Sequence, residues 1–351
     1  MVIQILAMSK IIDCNDSDLE IAAKQINAGG LVAFPTETVY GLGARLCDES
    51  LANIFAAKRR PYSDPLICHF DTPEAAKKYL ILTEEESAIF DKLAAKFWPG
   101  PLTIIAPATN AVPPLVMAGT GCVGVRVPSH PVAHRFLELC KEPVAAPSAN
   151  LFGHVSPTTV DHVNNDLGDA DGLLIVSGGK ATIGIESTVV RLLGNTITIL
   201  RPGFITAGQM EEISPGNVHR VSSQTQKLAS PGHETKHYAP NLPTVLARVG
   251  TEGEAFPEKA VMIDFNRQFA SVSSKVLRYF DMSPVGSVEE AISKVYDMLR
   301  DAETTQGAEI CLVAEVVRSG KDGDAHDEEL VASINDRLLR SASHVTKVYK
   351  L

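Results

Sequence analysis

Three adjacent cations stand in the stretch KRRPYSDPL, residues 58–66, of a 351-residue chain whose formal net charge is -10. Pro61 and Pro65 restrict the backbone on the C-terminal side of these cations. An arginine can hold a phosphate or carboxylate through two parallel hydrogen bonds, and a lysine adds a point charge. The stretch therefore indicates an anion site. The alternative is a solvated helix C-terminus, where the helix dipole favours cations without any ligand.

Hydroxyl-bearing residues follow the first predicted buried strand, LVAF (31–34). The stretch FPTETVYGLG, residues 34–43, sets two threonines, a glutamate and a tyrosine beside two glycines. Hydroxyl groups at the end of a strand, with glycines that let the backbone approach closely, suit a small polar ligand. The alternative is a β-turn with exposed threonines.

Four further polar stretches follow or begin predicted strands. They are APSAN (146–150), SPT (156–158), ESTVV (186–190) and RPG (201–203). Each signal is weak alone, but together they place hydroxyl, amide and guanidinium groups at the ends of four or five strands. Ligand sites in α/β sheets assemble in this way.

The motifs of several common sites are missing. The sequence has no G-x-x-x-x-G-K-[ST] loop and no G-x-G-x-x-G after a strand. His130 and His134 are spaced like half of a zinc pair, but Pro131 lies between them, so no metal site from protein side chains is predicted. There is no catalytic triad either. The site formed by the hydroxyl, amide and guanidinium groups is therefore predicted to bind and orient anions. This property suits phosphoryl or nucleotidyl transfer that is catalysed by positioning the substrates.

The composition argues against several classes of protein. Hydrophobic residues make up 45% and charged residues 21%, and no apolar run reaches the length of about 18 residues that spans a bilayer. The start MVIQILAMSK does not resemble a signal peptide, and Met8 is a candidate alternative start codon. The six cysteines form no C-x-x-C pair, which favours reduced thiols and a cytoplasmic location. The acidic balance argues against stable nucleic-acid binding.

The pattern of the chain predicts two α/β domains joined by a linker. Residues 1–212 alternate helical and strand patterns, which indicates a mixed sheet, and ESLANIFAAK (49–58) is predicted as a helix that ends at Lys58. Residues 213–240 are rich in Ser, Pro, Gly, His and Thr and are typical of a linker. Residues 241–351 alternate again and predict a smaller parallel-sheet domain, with a capping box at Ser287 before one helix.

The motifs PTETVYGLG, KRRPYSDPL, APSAN, SPT, ESTVV and RPG, in this order, resemble those of the threonylcarbamoyl-AMP synthase family. The linker SPGHETKHYAP with a second α/β domain resembles the two-domain form of that family. The resemblance implies a YrdC-like fold: an open, twisted mixed sheet with a large cavity, followed by a smaller C-terminal Rossmann-like α/β domain.

The same resemblance implies an activity. The family makes threonylcarbamoyl-AMP from L-threonine, ATP and the co-substrate bicarbonate, with Mg²⁺, and releases pyrophosphate. This is the first step of the threonylcarbamoyladenosine modification next to the tRNA anticodon, and a separate transferase complex takes the product. No membrane partner is implied.

Site residues are implied by matching motifs. The catalytic set would be Lys58, Arg60, Ser148 and Asn150. The ATP-binding set would be Arg60, Asp64, Cys122, Ser148, Ser156, Arg201 and Tyr238. The L-threonine-binding set would be Thr38, His69, Arg126, Ala146 and Ser187, with Arg126 the partner of the substrate carboxylate. Tyr238 lies in the linker, so the linker is expected to fold over the cavity as a lid.

Two positions depart from the family pattern. Asp64 stands where asparagine is common, and its carboxylate would repel a triphosphate unless Mg²⁺ or Arg60 intervenes. Cys122 stands where threonine is common and would lose a hydroxyl contact.

Two other functions are compatible with this fold. One is RNA binding, although few aromatic residues lie near the basic stretch. The other is a carbamoyl-phosphate-using maturation enzyme, although the zinc-finger cysteines and the acylphosphatase segment of those chains are absent.

Overall fold

The structure, a computed structural model, describes residues 9–221, 237–317 and 325–350. Met8 and the central part of the predicted linker, residues 222–236, lie outside the described residues. The chain forms two compact units. The first is built from the described parts of Met1–Phe152, Pro157–Thr182 and Glu186–His233, and the second from those of Gly153–Ser156, Ile183–Ile185 and Glu234–Leu351. The predicted boundaries at residues 212 and 240 stay a prediction.

The first unit is a mixed α/β unit. Its strands are β1 (Lys10–Ile12), β2 (Val32–Phe34), β3 (Gly41–Arg45), β4 (Ile67–His69), β5 (Leu102–Pro107), β6 (Cys122–Arg126), β7 (Val144–Ala145), β8 (Leu174–Val176), β9 (Thr188–Leu193), β10 (Thr196–Arg201) and β11 (Val218–Arg220). Its helices are α1 (Asp16–Asn27), α2 (Asp48–Lys58), α3 (Pro73–Lys77), α4 (Glu84–Phe97), α5 (Pro114–Met117), α6 (Pro131–Cys140), α7 (Val160–Leu167) and α8 (Ala207–Glu211).

These strands form one sheet in the order β1-β8-β2-β3-β7-β4-β6-β5-β9-β10-β11. The pairs β1/β8, β8/β2, β4/β6, β5/β9 and β10/β11 are parallel, and the other neighbours are antiparallel. The sheet is therefore mixed, as the sequence predicts. The central strands are short, and β4 has three residues.

Local sequence explains where the key helices begin and end. The side chain of Asn15 caps α1, whose buried face is Leu19, Ala22, Ala23 and Ile26. Thr83 and Glu86 form a reciprocal capping box at the start of α4. The predicted helix that ends at Lys58 is confirmed as α2, and Arg59 closes it in the left-handed conformation with φ of 53°. The chain turns there, between Lys58 and Arg60.

The second unit has an all-parallel sheet. Its strands are β12 (Thr244–Glu254), β13 (Ala260–Asp264), β14 (Arg278–Asp281), β15 (Ile310–Ala314) and β16 (Thr346–Tyr349), in the order β14-β13-β15-β12-β16. Its helices are α9 (Val288–Glu303) and α10 (Ala325–Ser341), with a 3₁₀ turn at Ala270–Val272.

The predicted capping box at Ser287 is only half formed. The Ser287 hydroxyl accepts the N–H of Glu290, as expected for an N-cap. The Glu290 carboxylate instead accepts the hydroxyl of Ser283 and pairs with Lys294. Among the described residues, no helix is long and apolar enough to cross a membrane.

Candidate active site

Lys58 lies at the C-terminal end of α2 with its side chain buried. Its Nζ donates to the backbone carbonyls of Ser148 at 2.6 Å and Asn150 at 2.5 Å. An ammonium has three donors, so one N–H remains without a partner among the described residues. Burial, and then the charge of Arg60, lower the pKa of Lys58 well below its usual value. An incoming anion would favour the charged form.

Arg60 is held in the turn that leads to β4. Its Nη2 lies 2.8 Å from Asp64 Oδ2 and donates to Pro65 O at 2.8 Å. Its Nε donates to Asp64 O at 3.3 Å. Both side chains of the ion pair are buried, and the Arg60 guanidinium lies 6.0 Å from the ring of Phe152. Arg60 therefore pairs with the carboxylate of Asp64, while the effect of Asp64 on a bound triphosphate stays a prediction.

The segment APSAN lies beside the start of β4. The Ala146 N–H donates to Ile67 O, and Gly41 and Ser148 form an antiparallel bridge. Asn150 is buried, and its Nδ2 donates to Leu151 O. Ser148 and Asn150 therefore share a neighbourhood with Lys58.

Cys122 lies at the same end of the strands. It is the first residue of β6, which runs parallel to β4, and its thiol is free and half-buried.

A second group surrounds Arg126, the last residue of β6. Its Nη2 lies 2.6 Å from Glu37 Oε1, its Nη1 donates to Thr38 Oγ1 at 2.9 Å, and its Nε donates to Gly100 O at 3.3 Å. Glu37 is buried and its second oxygen accepts the N–H of Ser129. The sequence prediction omitted Glu37 from the site residues, although it is the only carboxylate in FPTETVYGLG.

Ser187 joins this second group. Its hydroxyl lies 2.8 Å from Thr103 Oγ1, and the Arg201 guanidinium donates to its carbonyl and its hydroxyl at 3.1 to 3.2 Å. The sequence prediction put Arg201 in the ATP-binding set, and the structure places it against Ser187 of the L-threonine set.

His69 is the last residue of β4 and pairs in register with Arg126. It is buried, and no partner of its Nδ1 meets hydrogen-bond geometry within the described part of the chain. Burial, and then the charge of Arg126, lower the pKa of His69 to about 3, and backbone contacts at Ile67 and Val144 offset this only in part. The ring is therefore neutral at physiological pH.

The stability of the protein is expected to depend on His69 in mild acid. The unfolded chain binds a proton below pH 6.5 and the folded chain only below about 3, so stability is lost as pH falls from 6.5 towards 3. Between pH 6.5 and 5 the loss is about 2 kcal/mol. Urea unfolding at pH 7 and pH 5 should show this loss in the wild type and its absence in His69→Gln. The exposed His219→Gln is the control, and equal pH dependence in all three chains would refute the expectation.

The two groups occupy opposite ends of the short central strands. His69 and Arg126 are the last residues of β4 and β6, Ser187 precedes β9, and Arg201 is the last residue of β10. The strand registers place these four positions at the same end of neighbouring strands. Lys58, Arg60, Ser148 and Cys122 lie towards the start of β4 and β6. The predicted polar side chains are thus found at strand ends, but they form two groups at opposite ends of the strands. The three residues of β4 separate the two groups by roughly 10 Å.

The loop after β2 joins the two groups. Thr38 accepts from Arg126, while the carbonyl of Tyr40 accepts the N–H of Ala149. Contacts of this one loop therefore connect the two groups.

Ser156 and Tyr238 belong to the second unit. Ser156 is buried. Tyr238 is buried with φ of 59°, its ring stacks on Tyr296 of α9 at 5.7 Å, and the Arg337 guanidinium lies over it at 5.7 Å. Their roles in ATP binding stay predictions, as does the lid, because residues 222–236 are outside the described residues.

No group of three or more His, Cys, Asp or Glu residues that could hold a metal ion occurs in the described part of the chain. The carboxylate of the cation-bearing loop, Asp64, is ion-paired with Arg60.

Family models match both parts of the chain. Residues 24–203 match a model described as "Telomere recombination" (Sua5_yciO_yrdC), and residues 205–343 match "Threonylcarbamoyl-AMP synthase, C-terminal domain". The threonylcarbamoyl-AMP synthase of Pyrococcus abyssi is 35% identical over 314 residues, covering 86% of this chain and 90% of its own length. That of Bacillus subtilis is 41% identical over 244 residues, covering 68% and 69%.

A solved structure supports the same family assignment. The crystal structure of P. abyssi Sua5 complexed with L-threonine matches with a TM-score of 0.82 and 30% identity, covering 98% of this chain and 100% of that one. The predicted two-domain fold, YrdC-like with a C-terminal α/β domain, is confirmed. The chain is an enzyme of the nucleotidyltransferase type, and it belongs to the threonylcarbamoyl-AMP synthase family.

Proposed function

We propose that this protein synthesises threonylcarbamoyl-AMP from L-threonine, bicarbonate and ATP, with release of pyrophosphate. The observation that carries the proposal is the pair of cationic groups at opposite ends of the short central strands, which the loop after β2 connects. Arg126 would hold the carboxylate of threonine at one end, and Lys58 and Arg60 would hold the phosphates of ATP at the other. The P. abyssi structure, a complex with L-threonine, supports this choice of amino acid.

The amino-acid end has the donors that a carboxylate needs. Three of the five Arg126 N–H groups are used within the protein, and one on each of Nη1 and Nη2 remains without a partner among the described residues. Two such donors can bind the two oxygens of a carboxylate. Thr38 and Ser187 add hydroxyl groups for the polar part of the substrate.

The reaction needs no nucleophilic side chain. The threonine amine, after losing a proton, attacks the carbon of bicarbonate, and water leaves to give the N-carboxylate, a carbamate. An oxygen of this carbamate attacks the α-phosphorus of ATP, and the bond to pyrophosphate breaks. The protein holds the two ends in line and supplies fixed positive charge, which is how phosphoryl-type transfers are accelerated.

Mg²⁺ would enter this site as a companion of ATP. Because Asp64 is paired with Arg60, we infer that the phosphates of ATP, rather than protein carboxylates, would hold the ion. Mg²⁺ would neutralise phosphate charge. The product would serve the first step of threonylcarbamoyladenosine formation on tRNA, through a separate transferase complex, and we propose a cytoplasmic location.

The test is pyrophosphate release by the purified full chain with ATP, Mg²⁺, L-threonine and bicarbonate, each omitted in turn, with mass spectrometry of the product. Release that requires all four, together with the mass of threonylcarbamoyl-AMP, is expected. Release that is supported by carbamoyl phosphate instead of threonine and bicarbonate would indicate the maturation-enzyme chemistry. Salt-sensitive RNA binding without any release would indicate the RNA-binding alternative.

A further inference from the structure

Glu37 and Arg126 form a buried ion pair in the proposed threonine end of the site. The exposed fractions of their side chains are 6% and 5%, and Glu37 Oε1 lies 2.6 Å from Arg126 Nη2. A buried pair of this kind costs desolvation energy and is weak evidence of a stabilising role. A role in function is therefore worth testing.

Glu37 fixes the orientation of Arg126. The guanidinium is held from two separate segments, by Glu37 and Thr38 in the loop after β2 and by the carbonyl of Gly100. The second oxygen of Glu37 accepts the N–H of Ser129, which ties the carboxylate to the segment before α6. With both ends of the pair fixed, the two remaining N–H groups of Arg126 have defined directions.

Glu37 also sets the charge at this end of the site. The charges of Glu37 and Arg126 cancel, and His69 is neutral because burial lowers its pKa to about 3. Without Glu37, the charge of Arg126 would be uncompensated, and the threonine end would attract anions of any kind, including the phosphates of ATP.

We propose that Glu37 is a positioning and specificity residue that makes the Arg126 subsite select a zwitterionic amino acid over a simple carboxylate or phosphate anion. The inference rests on the proposed function, because it takes Arg126 as the partner of the threonine carboxylate. The donors of Arg126 give affinity for a carboxylate, and the charge of Glu37 penalises a ligand that lacks an ammonium group. This is discrimination by a repulsive group.

The test compares L-threonine with 3-hydroxybutyrate, which is threonine without its amine. In the full chain, the inhibition constant of 3-hydroxybutyrate and the KM of threonine are measured by pyrophosphate release, and both dissociation constants by calorimetry. We expect the ratio of the 3-hydroxybutyrate constant to the threonine constant to fall about tenfold or more in Glu37→Gln, because one unit of negative charge is lost nearby. Glu37→Asp should keep this ratio within about twofold of wild type while raising the threonine KM, since it keeps the charge and moves it.

Glu86→Gln is the matched control. Glu86 is also a buried carboxylate, but it accepts the N–H groups of Thr83 and Gly194 at the start of α4. We expect Glu86→Gln to lower the stability of the protein and to leave the ratio of the 3-hydroxybutyrate constant to the threonine constant unchanged. An unchanged ratio in Glu37→Gln, or an equal fall in Glu86→Gln, would overturn the proposal. If Glu37→Gln does not fold, a tenfold fall of the ratio in Glu37→Asp would overturn it instead, and an unchanged ratio with a raised KM would support it.

Different results would refute the proposed function and the role proposed for Glu37. A wild-type chain that neither binds L-threonine nor requires it for pyrophosphate release would refute the function. A wild-type chain that uses threonine, with variants that show no change in the ratio, would refute only the role of Glu37.

Discussion

Arg60→Ala is expected to reduce kcat/KM for ATP by about 100-fold, with a much smaller change in threonine affinity. The guanidinium is buried and fixed by contacts with Asp64 and Pro65, so it presents its charge at a constant position. Fixed cations that face charge developing in a transition state commonly contribute factors of this size. Steady-state pyrophosphate release at varied ATP, and calorimetry with a non-hydrolysable ATP analogue, measure both quantities.

Loss of Arg60 also leaves the buried carboxylate of Asp64 without its ion-pair partner, which lowers stability by several kcal/mol. The double variant Arg60→Ala with Asp64→Ala removes both charges and separates the two effects. We expect it to recover stability and not activity. If the double variant regains ATP affinity, Arg60 only neutralises Asp64. Arg59→Ala, at the neighbouring exposed position, is the control and should retain wild-type kinetics.

Lys58→Met is expected to lower the maximal rate of pyrophosphate release by about 100- to 1,000-fold. The buried ammonium bridges two backbone carbonyls, those of Ser148 and Asn150, and has one N–H left for a ligand. Methionine has a similar length and neither the charge nor the donors. The variant therefore removes a preorganised cation and frees the segment that carries Ser148.

The stability of Lys58→Met should change less than its rate. The part-buried carbonyl of Ser148 and the buried carbonyl of Asn150 lose a donor, which costs about 1–3 kcal/mol, while the unfavourable burial of a cation is relieved. Single-turnover release and urea unfolding, measured on the same preparation, separate the two. Lys24→Met, an exposed lysine in the last turn of α1, is the control. A folded Lys58→Met chain with a rate within tenfold of wild type would contradict the proposed role.

Much of the site follows from local sequence. The helical pattern of residues 49–58 predicts the position of Lys58 at the end of a helix. Apolar runs predict the strands that precede Ser148 and Arg201 and the strand that follows Ser187. Their placement at strand ends needs no long-range information.

What the sequence could not provide is the pairing of the strands. Parallel and antiparallel neighbours are mixed in the sheet centre: β4 pairs antiparallel with β7 and parallel with β6, so the C-terminal ends of β7 and β6 lie at opposite ends of β4. Arg201 therefore lies against Ser187 rather than beside Arg60. Glu37 was missed for a related reason. Its partner Arg126 is 89 residues away in the chain, and no pattern of either segment specifies the pair.

The order of strands in the large sheet also decides when the enzyme can first exist during its own synthesis. Lys10 of β1 pairs with Leu174 of β8, and Leu102 of β5 pairs with Thr188 of β9. A ribosome that has made Lys58 and Arg126 has therefore made a half-sheet whose edges still lack their neighbours. Such long-range pairing folds slowly, and open edges invite wrong association. The nascent chain lacks part of the proposed threonine end until Ser187 and Arg201 emerge, so the proposed site stays incomplete until the last third of the domain has been made.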